Sequence, residues 1–567
     1  MIEFRNVTYS YGPGRFSLSD FGAVFREGTM TALFGDNGAG KSTVAMLADG
    51  LLEPDSGCVR VDGLDTRSSH SLTEIRRKVG MVFQNPDSQF VATTVEREIA
   101  FGMENLGTKS SEIRKRVDTL LGLFGVSHLK DRSPRDLSQG EKAIVSLASI
   151  LALNPKYLIL DEPTSHLDRV EAERLWKFIR GLDENTSVML ITQEKEEIER
   201  CGRVIALSSG RKTYEGPSEE FLSTARMTTG LTVLARELSS EGVPVLRNPS
   251  GVDQLVDSIL RSGGRGSKRE ERGAPFPVEL TRSESWIENM SLVDACYVYK
   301  KGLPGEKTGV EHVGVDLQRG QFLGVVGPNG SGKTTLLLML AGLFSPTSGL
   351  LLVNGSDARK LRDPRKLRRE TGFVFQNPER AFFTDTCMDE IIFGLKNFGV
   401  DRPEERAESS LDFVGLTPGD FRKRSPFEIS YGEQRRLAVA CALSYGPRVV
   451  FFDEPTAGLD QEGREFVYDL LLKMKASERA VVLVSHDLGL VLDLSDNVIG
   501  LEKGRVAYAG PPGQFINSSL SEQLRLQKSE IHEVLVRLKS EGLDVDTEIF
   551  SPRLAARNIA ATVSRMV

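Results

Sequence analysis

Phe322-Leu323-Gly324-Val325-Val326-Gly327-Pro328-Asn329-Gly330-Ser331-Gly332-Lys333-Thr334-Thr335-Leu336 is the stretch whose reading decides the fold. Its first five residues form an apolar run that reads as a buried strand. Its last residues open an apolar helical run that continues to Leu343. Between them, Gly327 to Thr334 spell G-x-x-x-x-G-K-T, a loop that wraps a nucleotide's phosphates. Backbone N–H groups and the positive end of the helix dipole meet at such a loop, and its glycines let the backbone come close. Lys333 is placed to reach the β/γ-phosphates, and the Thr334 hydroxyl to hold Mg²⁺. The regular expression alone also fits a chance glycine turn; the flanking strand and helix argue against that.

The chain contains this unit twice. Gly35-Asp36-Asn37-Gly38-Ala39-Gly40-Lys41-Ser42-Thr43 is a second copy, and Lys41 precedes Lys333 by 292 residues. Gln84 and Gln376, Ser138 and Ser430, and Glu162 and Glu454 keep the same spacing. A repeat of that length makes two domains of one kind. Strands and helices alternate around each loop, which predicts an α/β sheet core.

Composition is that of a globular protein: 40% hydrophobic and 27% charged over 567 residues, with a formal net charge of −7. That balance gives no reason to expect nucleic acid as a partner. The five cysteines are scattered and form no C-x-x-C, which suits a reducing compartment. Met1 to Arg5 lacks the pattern of a signal peptide. No apolar run approaches the ~18 residues that span a bilayer, so a membrane role would be peripheral.

Each repeat carries further chemistry-bearing residues in one order. Ile2 to Phe25 and the segment around Tyr297-Val298-Tyr299 read as antiparallel strands. Tyr11 and Tyr299 fall where a ring stacks on adenine, or where a strand simply half-buries a tyrosine. Gln84 and Gln376 end a strand before a proline turn, facing Mg²⁺ or attacking water, or only solvent. Ser138 and Ser430 are N-caps of apolar helices whose ends, with Gly140 and Gly432, can also bind phosphate. Tyr157-Leu158-Ile159-Leu160-Asp161-Glu162 and Val449-Val450-Phe451-Phe452-Asp453-Glu454 read as strands buried on both faces. Asp161 and Asp453 are the expected Mg²⁺ ligands, with Ser42, Thr334, Gln84 and Gln376. Glu162 and Glu454 are the expected general bases. The last strand of each set ends in His486 or in Gln193, beside the γ-phosphate.

This order of motifs resembles that of ATP-binding-cassette ATPases, fused in tandem. The resemblance covers nearly all of residues 1–217 and 285–513. The phrase Phe83-Gln84-Asn85-Pro86-Asp87-Ser88-Gln89-Phe90 is similar, more narrowly, to the ATPase subunits of energy-coupling-factor transporters, which import vitamins and transition-metal ions. The resemblance implies two α/β cassettes, each with an antiparallel β subdomain, a helical subdomain and a small C-terminal helical appendage. It implies ATP and Mg²⁺ as cofactors, bound by Tyr11, Gly35, Asn37, Gly38, Gly40, Lys41, Ser42 and Thr43 in one half. In the other, Tyr299, Gly327, Asn329, Gly330, Gly332, Lys333, Thr334 and Thr335 do so. It implies head-to-tail pairing, so that Lys41 shares a nucleotide with Ser430 and Gly432, and Lys333 with Ser138 and Gly140. Asp168 and Asp460 match the loop that communicates across that interface. The implied partners are an integral membrane scaffold subunit and a substrate-binding membrane subunit, at the cytoplasmic face of the cell membrane.

The sequence also departs from the family. Gln139 and Tyr431 stand where glycine is usual, Ala143-Ile144 where Gln-Arg is usual, His166 where glycine is commoner, and Gln193 where histidine is expected. The Lys333 site, with Glu454 and His486, is therefore expected to turn over faster. The expected boundaries are a first cassette at 1–217, an appendage at 218–260, a flexible linker at 261–284, a second cassette at 285–513 and a second appendage at 514–567. The segments after Gln84 and Gln376 mix apolar residues with Asp87, Glu96, Glu98, Asp385, Asp389 and Glu390, which suggests either a groove for a basic coupling helix or a solvated face. Two other readings stay open: a soluble twin-cassette translation factor, disfavoured by the glycine-broken linker, and the ATPase of another importer class.

Overall fold

A computed structural model describes residues 1–12, 17–165, 167, 169–182, 185–223, 230–247, 249, 251–262, 286–303, 305–459, 461–477, 479–516, 518, 521 and 530–564. His166, Asp168, Asp460 and the linker beyond Ser262 lie outside them. The chain divides into two compact units, Met1–Met227 and Thr228–Val567.

In the first unit, β1 (Ile2–Ser10), β2 (Ser17–Phe25), β4 (Ser56–Val61) and β5 (Leu64–Asp65) form an antiparallel sheet in the order β2-β1-β4-β5. A second sheet holds β3 (Met30–Phe34), β6 (Val79–Val82), β7 (Tyr157–Asp161), β8 (Ser187–Ile191), β9 (Arg203–Ser208) and β10 (Arg211–Pro217), in the order β10-β9-β3-β8-β7-β6. Its four pairings from β6 to β9 run parallel, and β10 closes it antiparallel. β7 and β8 are buried along their whole length, as strands covered on both faces must be. One face of the large sheet shares a core with the antiparallel sheet and the helix Lys41–Ala48. The other packs on the helices Val95–Asn105, Ser110–Leu123 and Gln139–Leu151.

The second unit repeats the plan. β11 (Asn289–Tyr299), β12 (Lys307–Gln318), β14 (Ser348–Val353) and β15 (Ser356–Asp357) make the antiparallel sheet. β13 (Phe322–Val326), β16 (Thr371–Val374), β17 (Val449–Asp453), β18 (Ala480–Val484), β19 (Asn497–Glu502) and β20 (Arg505–Gly510) make the large sheet, ordered β16-β17-β18-β13-β19-β20. This unit also holds a small helical layer. The helices Gly230–Ser240 and Val252–Arg261, which follow the first cassette in sequence, share one apolar core with Glu530–Ser540 and Pro552–Val563. Asp493 accepts hydrogen bonds from the N–H groups of Phe550 and Ser551, and Tyr468 Oη donates to Ser551 Oγ at 2.8 Å, so the layer is tied to the second cassette. Among the described residues no helix is long and apolar enough to cross a membrane.

One half-buried carboxyl separates the halves. Asp49 caps the C-terminus of the helix Lys41–Ala48, where the dipole disfavours an anion, and burial pushes its carboxyl up to about 7. Its counterpart 292 residues on is Ala341. A carboxylate whose folded pKa is raised contributes stability at acid pH that is lost as pH rises from its usual range through about 7. Asp49→Ala should therefore stabilise the first unit by about 2–4 kcal/mol at pH 8 and by much less at pH 5. Chemical denaturation at the two pH values checks this; an equal gain at both would contradict it.

Candidate functional site

The parallel strands end side by side, and the loops leaving them converge. In the second unit β13 runs into Gly327, β16 is followed by Phe375-Gln376, β17 ends at Asp453 and β18 leads into Ser485-His486. Val374 pairs with Phe452 and Asp453 with Val484, which brings these loops to one edge. The C-terminal edge of a parallel sheet is where α/β folds bind ligands.

The phosphate loop has the shape its sequence predicts. Gly40 and Gly332 sit at φ 103° and 101°, in left-handed backbone, and hand over directly to the helices Lys41–Ala48 and Lys333–Leu340. A Cβ on Gly332 would strike the Gly309 carbonyl. Lys41 Nζ donates to the Gly35 and Asp36 carbonyls at 2.6 and 3.1 Å. Lys333 Nζ donates to Gly327 and Pro328 at 2.8 and 3.0 Å. Both ammonium groups thus arch over their own loops. Gly38 and Gly330 have open space where a Cβ would stand. Tyr11 Oη lies 3.4 Å from Thr43 Oγ1 and Tyr299 Oη 2.8 Å from Thr335 Oγ1, so each tyrosine borders its loop's helix. Tyr297 backs Tyr299 edge-on and stacks on Phe344 at 4.8 Å.

The hydroxyl and carboxylate expected to share Mg²⁺ meet in both halves. Ser42 Oγ donates to Asp161 Oδ2 and Thr334 Oγ1 to Asp453 Oδ2, each at 2.8 Å. Asp453 Oδ1 is buried and accepts no hydrogen bond. Burial raises the Asp161 carboxyl and pushes that of Asp453 up to about 6. A buried carboxylate with an idle oxygen beside a hydroxyl is a hard-cation donor set, so these residues fit Mg²⁺. Among the described residues no separate cluster of three or more His, Cys, Asp or Glu is set up for a metal.

Glu162 and Glu454 follow directly, and both adopt left-handed backbone, at φ 44° and 50°. Such a φ costs a non-glycine residue roughly 1–2 kcal/mol and marks a position held for a purpose. Their N–H groups donate to the last carbonyls of β8 and β18, at 3.0 and 2.9 Å, which fixes the turn. The environments then diverge. Gln84 Nε2 donates to Glu162 Oε2 at 2.8 Å, and Lys41 Nζ is 3.9 Å from Glu162 Oε1. Burial pushes the Glu162 carboxyl up to about 7. Glu454 Oε2 accepts from the His486 N–H at 3.0 Å, and Oε1 lies 3.3 Å from His486 Nε2. Burial also raises the Glu454 carboxyl, with Lys333 and Arg435 opposing it. His486 Nε2 stands 3.1 Å from Asn329 Oδ1, and Gln193 Nε2 donates to Asn37 Oδ1 at 3.0 Å. The glutamine therefore occupies the histidine's place.

Ser138 and Ser430 both cap. Each hydroxyl accepts from the N–H three residues on, and Glu141 or Glu433 returns the bond to the serine N–H. Gly140 is buried, whereas Gly432 is half-buried.

Two residues escaped the sequence reading. Arg435 is 1% exposed and donates to the Phe375 carbonyl (2.9 Å), Tyr431 Oη (2.9 Å) and the Ala457 carbonyl (3.3 Å). Tyr431 Oη in turn donates to the Gln376 carbonyl at 3.3 Å. Arg435 thus joins the strand-end glutamine loop, the capped helix and the loop after Glu454. The first half has Ala143 here and instead a short ion pair, Lys142 Nζ to Asp87 Oδ1 at 2.6 Å. The second residue, Glu171, lies against Gly140.

The acidic groove needs correction. Glu98 and Glu390 are buried, not presented to a partner. Glu98 Oε2 accepts from the Val91 and Ala92 N–H groups, and Glu390 Oε2 from Phe383 and Thr384. They hold the loops; Asp87 is taken by Lys142. Four or more unpaired N–H groups beside a helix start attract carboxylates inward, which alternation of acids and apolars does not reveal. Asp385 and Asp389 stay exposed, and beside them apolar residues face out: Val91 and Phe101 are 63% and 44% exposed, and Phe383 and Phe393, 292 residues on, are 61% and 49% exposed.

Comparison with known proteins matches a family described as "ABC transporter" to residues 18–165 and again to 310–457. A "Putative ABC transporter ATP-binding protein" of Methanosarcina acetivorans is 30% identical over 544 residues, covering 91% of this chain and 87% of that protein. A second protein of the same name from that organism is 32% identical over 517 residues, covering 89% of each. A "Putative HMP/thiamine import ATP-binding protein YkoD" of Bacillus subtilis is 32% identical over 531 residues, covering 91% of this chain and 92% of that protein.

Proposed function

The chain belongs to the ABC transporter family, and on that premise we propose that it energises uptake of a micronutrient, a vitamin or a transition-metal ion, through an energy-coupling-factor type of membrane partner. It is a tandem ATPase that binds ATP on two cassettes. In the proposed cycle Tyr299 stacks on adenine, the Gly327–Lys333 loop and Thr335 wrap the phosphates, and Ser138 with Gly140 complete the site from the other half. Lys41, Ser430 and Gly432 build the second site in the same way. Mg²⁺, when bound by Thr334 and Asp453 or by Ser42 and Asp161, neutralises phosphate charge. Gln376 and Gln84 border that position. Glu454 takes a proton from the attacking water at its carboxylate, and His486 holds the γ-phosphate side of the site. Asp168 and Asp460 link the two sites across the paired cassettes.

The observation that carries the transport reading is the recurrence of exposed apolar residues at matched positions of both halves, Val91/Phe101 and Phe383/Phe393, next to the loops after Gln84 and Gln376. Apolar patches rimmed by polar groups mark protein contacts. Their repetition fits two equivalent docking faces for an integral membrane scaffold subunit at the cytoplasmic side, which in turn holds a substrate-binding membrane subunit. A relative named for HMP/thiamine import supports the micronutrient class. The overall acidic charge gives nucleic acid no footing.

Purification of the tagged chain from detergent-solubilised membranes tests this. A small substrate-binding membrane protein and a scaffold subunit should co-purify, and Phe383→Asp with Phe393→Asp should remove them while ATP binding persists. Recovery of ribosomes, or no loss of membrane subunits in the double variant, would overturn the reading.

A further inference from the structure

The two capped helices that the proposed sites use are not equally open. A Cβ built on Gly140 would collide with the Glu171 carboxylate, both with Oε1 and with Cδ. The same construction on Gly432 meets nothing within 4 Å. The reason is in the sequence: Glu171 is the third residue of the helix Arg169–Arg180, and the residue 292 positions on is Gly463. Gly140 is buried accordingly, while Gly432 and its neighbour Ser430 keep more exposure.

Position and charge give this contact a meaning. Gly140 is the second residue of the helix Gln139–Leu151, whose free N–H groups and dipole form a seat for an anion. The Glu141 carboxylate is engaged locally in the capping box, and the Lys142 ammonium is paired with Asp87 rather than directed at an anion arriving at Gly140. Glu171 also lies in the first turn of its own helix, which any first-turn glutamate stabilises. That role does not require its carboxylate to rest on Gly140.

We infer that Glu171 is a built-in competitor for the nucleotide phosphate at the first capped helix: its carboxylate occupies the approach to Gly140 and swings aside when ATP on the Lys333 loop engages Ser138 and Gly140. Among the described residues the second half, with Gly463, has no such competitor. This rests on the proposed sharing of each ATP between the halves. It also qualifies the asymmetry of the two sites, since the chemically better equipped Lys333 site is the one whose completion is opposed.

The test uses the full chain carrying Glu162→Gln, so that turnover reports the Lys333 site. Glu171→Gly should lower KM for ATP roughly three- to tenfold, the size of one partly screened charge contact. Glu171→Gln, which keeps the shape and removes the charge, should give a smaller fall. Gly463→Glu, in a chain carrying Glu454→Gln, should raise KM at the other site. A folding defect raises KM or lowers kcat, so improved affinity on truncation is not its signature. Ser138→Arg separates the two claims. If it abolishes turnover at the Lys333 site and Glu171→Gly leaves KM unchanged, the competitor is wrong and site sharing stands. If it leaves turnover intact, site sharing falls and the competitor with it.

Discussion

Glu454→Gln will lower steady-state ATP turnover by roughly 10²–10⁴-fold at the Lys333 site, the usual worth of a positioned base. The substitution keeps the shape and the His486 N–H contact but removes the carboxylate proposed to accept the proton. Glu162→Gln will cost far less, no more than about half of the whole chain's turnover, because its site is handicapped already. Gln84 donates to Glu162, and Ala143 stands where the second half has Arg435. Burial pushes the Glu162 carboxyl up to about 7, and Asp161, Glu197 and Glu194 add to the rise that Lys41 opposes. Glu454 is raised by burial as well, but Lys333 and Arg435 favour its charged form. ATPase rates of the two single variants decide the matter, and equal losses would refute the asymmetry.

Arg435→Ala carries the second large effect. Truncation leaves the Phe375 and Ala457 carbonyls and the Tyr431 hydroxyl without their donor and opens a cavity the size of a guanidinium. Losses of this kind sum to about 3 kcal/mol. For a cassette of this size the unfolding temperature should fall by about 6–12 °C. Arg435→Lys will recover only part of this, because one ammonium lacks the planar fork that reaches three loops. Calorimetry of the full chain reads the shift in the transition of the second unit. A fall below about 2 °C would mean that the three loops hold together without the arginine.

Much of the site was legible because its chemistry is local. A strand, a glycine loop and a helix start are contiguous, so Gly327 to Thr335 announce their geometry. Asp453 and Glu454 are legible because a strand buried on both faces cannot end in two carboxylates without a use for them. The rest depends on residues distant in sequence. Nothing near Glu454 signals its left-handed backbone, which follows from the bond of its N–H to Val484. Glu98 and Glu390 look like solvated acids until the loops Val91–Ala92 and Phe383–Thr384 fold back onto them. Arg435 reads as one more helix cation until Phe375 and Ala457 close over it. The tails show the same limit: helical spacing at 234–238 and 535–538 gives amphipathic helices, but not that the two pairs bury their apolar faces in one another.

That last arrangement has a consequence for biosynthesis. The helices Gly230–Ser240 and Val252–Arg261 emerge from the ribosome long before Glu530–Ser540 and Pro552–Val563, the elements that complete their core. At roughly 5–20 residues per second the delay is on the order of 15–50 s. Throughout that interval Leu231, Leu234, Leu238, Leu255 and Ile259 lack their final cover. A nascent chain stalled in the second cassette would display them as a ready substrate for chaperones, and loss of the last 38 residues would leave the same scar in the finished protein.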